Sequence, residues 1–304
     1  KTEMIHGFYE IEQGKALANK SRYITEVWLS VPWAQVEPSP GRYAFSLLDK
    51  LMAQAHEAKV KFVFRLLCAG KGIDYGPQYR ETPQWIVDAG LTMAVEGTRY
   101  KEPIYWRNEY QFFQVRALLA AYDHILASPY AEDLLALQLP LCVWGECTNL
   151  LAEFPDKLRP QYLKNGYSDR AMREYPERQK GILVAAGLWH PLVTFGGGFM
   201  APSGWNTALS WFLTQPGDWF GTAQFSEHGI TEVITRNKIM TYKEHGKRIV
   251  FHEGSPAQTQ GSLRRKLRVL KNLWLGMQPD AVYWQTPLQM GVATFDRILE
   301  EEGW

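Results

Sequence analysis

Along the chain, short runs of β-branched and aromatic residues alternate with longer stretches in which apolar residues return every three or four positions. The first pattern is that of buried strands, the second that of helices with one covered face. Eight strands are predicted: Met4–Tyr9, Glu26–Val31, Val60–Leu66, Leu134–Val143, Leu192–Phe195, Trp219–Phe225, Arg248–His252 and Ala281–Gln285. Helices separate them. "LLDKLMAQAHEAK" places Leu47, Leu48, Leu51, Met52 and Ala55 on one face, and Ser46 with Asp49 reads as a capping-box start. Asn108–Leu126 repeats the pattern through Phe112, Val115, Leu118, Leu119, Tyr122 and Ile125, and Ser168–Ala186, Trp205–Leu213, Ile230–His245 and Leu263–Leu275 follow suit. Eight strands interleaved with helices in 304 residues make an α/β chain whose expected fold is a (β/α)8 TIM barrel. Periodicity does not reveal closure, so a doubly wound open sheet fits the same pattern.

One stretch breaks the alternation. Cys68 to Arg107 is rich in Gly, Pro, Tyr and charge, and it follows the C-terminal end of the third strand, the side on which barrel enzymes build their sites. Connections this long inside a compact domain usually serve function. No internal repeat or low-complexity linker divides the chain, so residues 1–304 are expected to form a single domain, with room for further domains beyond Trp304.

Composition narrows the classes. The chain is 46% hydrophobic, and 33 basic against 32 acidic residues leave a net charge of +1. The compact basic run "RRKLR" at 264–268 is interleaved with leucines at helical spacing, so no nucleic-acid partner is expected. No apolar run approaches the roughly 18 residues of a membrane span, and no membrane partner is expected. A start at Lys1 rather than Met fits a processed N-terminus and leans toward export. Cys68, Cys142 and Cys147 cannot all pair and match no zinc spacing, while the seven histidines form no HxH or HExxH. "FGGGFM" after the fifth strand lacks a phosphate-loop Lys-Ser/Thr, and no G-x-S-x-G elbow occurs. Aromatic residues make up 13% of the chain; their faces pack against the C–H faces of sugars as well as filling cores.

Two strand ends carry the candidate chemistry. "LCVWGECTNL" at 141–150 runs an apolar strand into Glu146, and "RIVFHEGSP" at 248–256 repeats the arrangement with Glu253. Carboxylates past the fourth and seventh strands of a barrel can face each other across its mouth. Hydrolysis of a glycosidic bond needs such a pair, one as a protonated acid and one as nucleophile or base; a gap near 5 Å gives retention and a wider one inversion. Trp144 and Cys142 would raise the pKa of a carboxyl at Glu146 by desolvation. A carboxylate that stays ionised at Glu253 calls for a cation nearby, and Arg65 at the end of "FVFRL" is the expected one. Gln224 and Glu227 in "AQFSEHG", with His252, are candidate partners for sugar hydroxyls, and Glu227 is also the rival of Glu253. Trp33, Trp85, Trp106 and Trp205 fall in loops or at strand ends as candidate subsite linings, at least two of them as ordinary packing. Glu37 in "VEPSPG" reads as structural, the start of a turn that launches the next helix.

"VWLSVPWAQVEPSPGRYAFSLLDKLMAQAHEAKVKFVFRL" at 27–66 resembles a segment of retaining clan A glycoside hydrolases, especially the family 42 β-galactosidases. There a Trp precedes Glu-Pro, a Gly-x-Tyr-x-Phe turn follows, and a helix with Leu-Asp leads to the next strand. "TPQWIVDAG" at 82–90 is similar to their Pro-x-Trp-Leu stretch. The resemblance implies Glu146 as acid/base, Glu253 as nucleophile and Trp284 as an aromatic platform under the reacting sugar. It departs at Gly145, where those enzymes place an Asn on the sugar 2-hydroxyl; Asn149 is the nearby substitute, and related barrel proteins share the "WGE" motif. The expectation is retaining hydrolysis of a β-linked oligosaccharide or polysaccharide with no cofactor and no metal, with a non-catalytic carbohydrate-binding barrel as the alternative.

Overall fold

The computed structural model describes residues 6–11, 21–69, 81–95, 101–140, 155–188, 192–194, 219–225, 240–253, 257–278, 280–284 and 290–304. Eight parallel strands form a closed ring: β1 (His6–Ile11), β2 (Ile24–Pro32), β3 (Lys61–Leu67), β6 (Leu134–Gln138), β7 (Leu192–Thr194), β8 (Trp219–Phe225), β9 (Arg248–Glu253) and β10 (Ala281–Tyr283). β1 pairs with β2 on one side and with β10 on the other, and that contact closes the sheet. The doubly wound alternative is thereby set aside. All eight strands stand where the hydrophobic runs place them; β8 keeps its expected ends and the others shift at one end or both. β6 stops at Gln138 instead of Val143, because Pro140 follows and has no N–H for a ladder. β9 runs one residue further than expected and takes in Glu253, in register with Phe225 of β8.

The described helices lie between strands. α1 (Trp33–Val36) and α2 (Ser46–Glu57) follow β2; α3 (Gln84–Asp88) and α4 (Asn108–Ala127) follow β3; α5 (Pro155–Lys164) and α6 (Asp169–Ala185) follow β6; α7 (Gln260–Met277) follows β9 and α8 (Val292–Glu301) follows β10. α2 buries Leu48, Leu51, Met52 and Ala55 as its spacing requires. Its start is not a capping box: the cap position is Phe45 and no side chain bonds there, while Asp49 lies 2.6 Å from His124 Nε2 on α4. On α4, Val115, Leu118, Tyr122 and Ile125 are buried, but Phe112 is 55% exposed. The buried face instead includes Tyr110, Gln111 and Gln114, turned by one residue from the expected stripe.

The long connection after β3 has structure of its own. A small antiparallel pair, β4 (Thr92–Ala94) with β5 (Lys101–Pro103), follows α3. Tyr162 of α5 donates to the buried Glu102 carboxylate, and Trp106 Nε1 donates to the Asn165 carbonyl at 2.9 Å. Both contacts pin this segment against the connection that leaves β6. The expected helix at Trp205–Leu213 lies outside the described residues, as does all of Ile230–His245 before Met240; residues 240–244 are helical.

Candidate active site

In a parallel barrel, residues in register share a face and neighbours along a strand alternate. Trp28 Nε1 on β2 donates to Gln138 Oε1 on β6 at 2.7 Å, across the intervening β3, so this face is the lumen. Ser30 is in register with Arg65, and Arg65 with Gln138. Arg65 Nε donates to Ser30 Oγ at 2.8 Å. Trp28, Ser30, Arg65 and Gln138 are all buried, a polar set toward the C-terminal ends of β2, β3 and β6. On the far side of the ring, Gln224 of β8 and His252 of β9 stand directly opposite each other, and His252 is also in register with Tyr283.

Glu253 lies elsewhere. The row Arg65, Gln138, Val193, Phe220, Arg248 is continuous through four pairings, and Glu253 is five residues beyond Arg248, hence on the opposite face. That face is covered by α7. Lys266 Nζ donates to Glu253 Oε1 at 2.9 Å, and both side chains are enclosed. The expected cation, Arg65, is therefore not the partner of Glu253: the two stand on opposite sides of the sheet, and Lys266 takes the place. In "LRRKLRVL" the positions Leu263, Lys266, Leu267 and Leu270 are spaced i, i+3, i+4, i+7, so Lys266 falls on the apolar stripe. That spacing is the signal by which it could be found.

Two tryptophans are also corrected. An aromatic platform needs an open ring face. Trp284 is 3% exposed and meets Phe295 of α8 edge-on at 5.4 Å, so it packs under the helix layer. Trp33 is fully enclosed, donates from Nε1 to Glu37 Oε2 at 3.0 Å, and meets Trp85 and Tyr110 edge-on at 5.8 Å each. Trp284→Ala is expected to cost about 3–5 kcal/mol of stability, read as a lower denaturant midpoint; a loss confined to sugar binding would restore the platform.

Glu37 is structural, as its turn requires. Its buried carboxylate accepts from Trp33, from Arg116 of α4 and from the Gly41 amide at 2.7 Å, and its carbonyl accepts from Trp85 Nε1 at 3.0 Å. Gly41 sits at φ +70°, which an L side chain rarely adopts, so the "PSPG" turn needs a glycine there.

At the rim one acid escaped the sequence reading. The Glu81 carbonyl accepts from the Ala34 amide just past β2 at 2.8 Å, and Thr82 Oγ1 donates to the Cys68 carbonyl just past β3 at 2.7 Å. Burial pushes the Glu81 carboxyl up from its ordinary 4.5 to about 7. The folded state thus binds the proton more tightly than the unfolded one, and stability falls as pH rises from about 4.5 to about 7. Glu81→Gln is expected to abolish this decline, which amounts to at most about 3 kcal/mol; urea midpoints at pH 5 and pH 8 measure it.

Glu146 and Asn149 fall in 141–150, and Trp205 and Glu227 fall in 201–218 and 226–239, all outside the described residues. Among the described residues no helix is long and apolar enough to cross a membrane, and no cluster of His, Cys, Asp and Glu could hold a metal ion.

No family profile and no curated protein sequence matches the chain. Solved structures do. The catalytic domain of β-amylase from Paenibacillus polymyxa is similar over 99% of both chains, at 10% identity and a TM-score of 0.67. Xylanase 10B from Thermotoga maritima is similar over 98% of this chain and 96% of its own, at 11% identity and a TM-score of 0.52. The exo-β-1,4-mannosidase of Opitutaceae bacterium strain TAV5 is similar over 98% of this chain at 14% identity and a TM-score of 0.57, and the chain spans 59% of its length. At such identities the likeness carries the fold: this chain is built on the β/α barrel that these sugar-cleaving enzymes share.

Proposed function

We propose that the barrel hydrolyses β-linked glycosides with retention of anomeric configuration. The observation that carries this reading is the polar lumen under the strand ends, Arg65 on Ser30 and Gln138 on Trp28, in a barrel similar end to end to a β-amylase domain and a xylanase. Buried, mutually bonded polar groups are costly to a barrel core and suit recognition of hydroxyl-rich ligands. Another similar structure is a xylanase in complex with xylobiose, which supports a β-linked oligosaccharide or polysaccharide as the substrate class. Within it, exo-acting β-galactosidase-like cleavage is the first candidate and endo-acting cleavage the second.

The mechanism follows from two carboxyls. Glu146 gives its proton to the leaving glycosidic oxygen as the Glu253 carboxylate bonds to the anomeric carbon and the C–O bond breaks. Glu146, now a carboxylate, takes a proton from water; the water oxygen displaces Glu253, and Glu146 ends protonated. Arg65, Gln224, His252, Asn149 and Glu227 would hold hydroxyls. Protein groups alone supply this chemistry.

The Lys266–Glu253 pair favours a second reading. A nucleophile must stand in the lumen, and Glu253 can do so only by leaving Lys266. If it does not, the second carboxyl is Glu227, with inversion, or the barrel binds sugars without cleaving them. A panel of aryl β-glycosides and β-linked oligosaccharides, assayed with wild type and Glu253→Gln, separates the readings. Turnover abolished by the substitution supports the nucleophile role, and turnover that survives it removes Glu253 from the chemistry.

A further inference from the structure

The residues just before α3 bridge the ends of two barrel strands. β2 and β3 finish side by side, with Pro32 in register with Leu67 and, two residues earlier, Ser30 with Arg65. Past those ends the Ala34 amide donates to the Glu81 carbonyl, and Thr82 Oγ1 donates to the Cys68 carbonyl. Glu81 is thereby tied to the C-terminal side of the barrel, next to the two strands that bring Ser30 and Arg65 together in the lumen. It is half-buried, so the site is neither sealed in the core nor open to bulk water.

The fold gives the acids of its described core a donor each. Glu37 has Arg116, Glu253 has Lys266, Glu102 has the Tyr162 hydroxyl and Glu26 has the Thr25 hydroxyl. Glu81 differs: burial raises its carboxyl, and no side chain of another residue acts on it. The titratable groups of the adjoining elements are engaged elsewhere. Glu37 at the end of α1 is held by Arg116, Arg65 of β3 is on Ser30, Asp88 of α3 accepts from Gln84, and burial keeps the Cys68 thiol protonated. An acid with only a scaffold role is matched by the scaffold. One left unmatched on the side where barrels bind their ligands fits a ligand contact.

We propose that Glu81 is a sugar-binding residue at the barrel mouth, its carboxyl bonding in the protonated form to a hydroxyl of a neutral glycoside. A protonated carboxyl donates and accepts, as a hydroxyl does, so the two can pair without burying a charge. A neutral sugar also displaces water from the carboxyl and brings no cation, so its binding favours the proton. Affinity is then full below about 7, where Glu81 titrates, and is lost above it. The proposal rests on the sugar site of the preceding reading and not on cleavage.

The tightest binder of the β-linked oligosaccharide panel is titrated calorimetrically into wild type, Glu81→Gln and Glu81→Ala at pH 5 and pH 8. Wild type is expected to bind about tenfold more weakly at pH 8, where a group titrating near 7 keeps its proton in about one molecule in ten. Glu81→Gln, whose amide donates and accepts at every pH, binds equally at both. Glu81→Ala binds about tenfold more weakly than wild type at pH 5 and does not change at pH 8. Near pH 7 wild type takes up protons as sugar binds, read from the dependence of the heat on the buffer, and Glu81→Gln takes up none. Wild-type affinity that is flat with pH, that rises with pH as a carboxylate meeting a cation would, or that shifts equally in Glu81→Gln overturns the proposal. So does a wild type that binds no member of the panel. Turnover keeps the two readings apart: pH-linked binding without cleavage sinks the hydrolase and leaves Glu81 its role, and cleavage with binding indifferent to Glu81 does the reverse.

Discussion

Lys266→Met is expected to destabilise the protein by about 3–5 kcal/mol, the cost of leaving a buried carboxylate without its cation. Glu253 is enclosed, and Lys266 Nζ at 2.9 Å from Oε1 is itself enclosed against the barrel. Methionine fits the lysine stem and removes only the charge. The companion is the double variant Lys266→Met/Glu253→Gln, in which no charge remains to be stranded; it is expected to recover most of the loss. Denaturant midpoints of the four proteins give the coupling directly. A single variant within about 0.5 kcal/mol of wild type would mean that the pair is not enclosed in solution. The same set bears on chemistry. If Glu253 attacks the sugar, the double variant folds and is inactive; if it is only an ion pair, the double variant folds and turns over.

Glu146→Gln carries the second large effect. Without an acid the leaving group departs as an unprotonated oxyanion, and kcat on sugar–sugar bonds is expected to fall by about 10²–10⁴-fold. The loss shrinks for aryl glycosides whose phenolate leaves unaided, because they ask little of an acid. The descending limb of the pH–rate profile should vanish in the variant. Equal losses on both substrate kinds with an unchanged profile would assign Glu146 to binding.

The fold was readable because a barrel strand is buried on both faces, one against the lumen and one against the helices, and runs such as "KFVFRLL" admit little else. Closure was not, since no periodicity distinguishes a ring from an open sheet; it emerged only in the pairing of β1 with β10. α5 was missed because Pro155 and Pro160 disguise it, although proline suits the first helical position. The pair of three-residue strands is too short to show alternation. At the site, Gln138 stands alone as a polar residue in "LLALQLPL" and Arg65 in "FVFRLL", and both turned out to line the lumen. Trp33 and Trp284 misled because a tryptophan at a strand end looks the same in sequence whether it faces ligand or core. Glu253 misled on its partner for a related reason. One extra residue of strand fixes which side a carboxylate faces, and strand ends are the least legible feature of a sequence.

Retaining hydrolysis is written in the configuration of the first-formed sugar. Proton NMR during early turnover of a β-glycoside, with azide supplied to Glu146→Ala and Glu253→Ala, reads it before mutarotation mixes the anomers. Retention gives the β-anomer first from wild type, a β-glycosyl azide from Glu146→Ala and an α-glycosyl azide from Glu253→Ala. An α-anomer from wild type, or turnover by Glu253→Ala without azide, would contradict it.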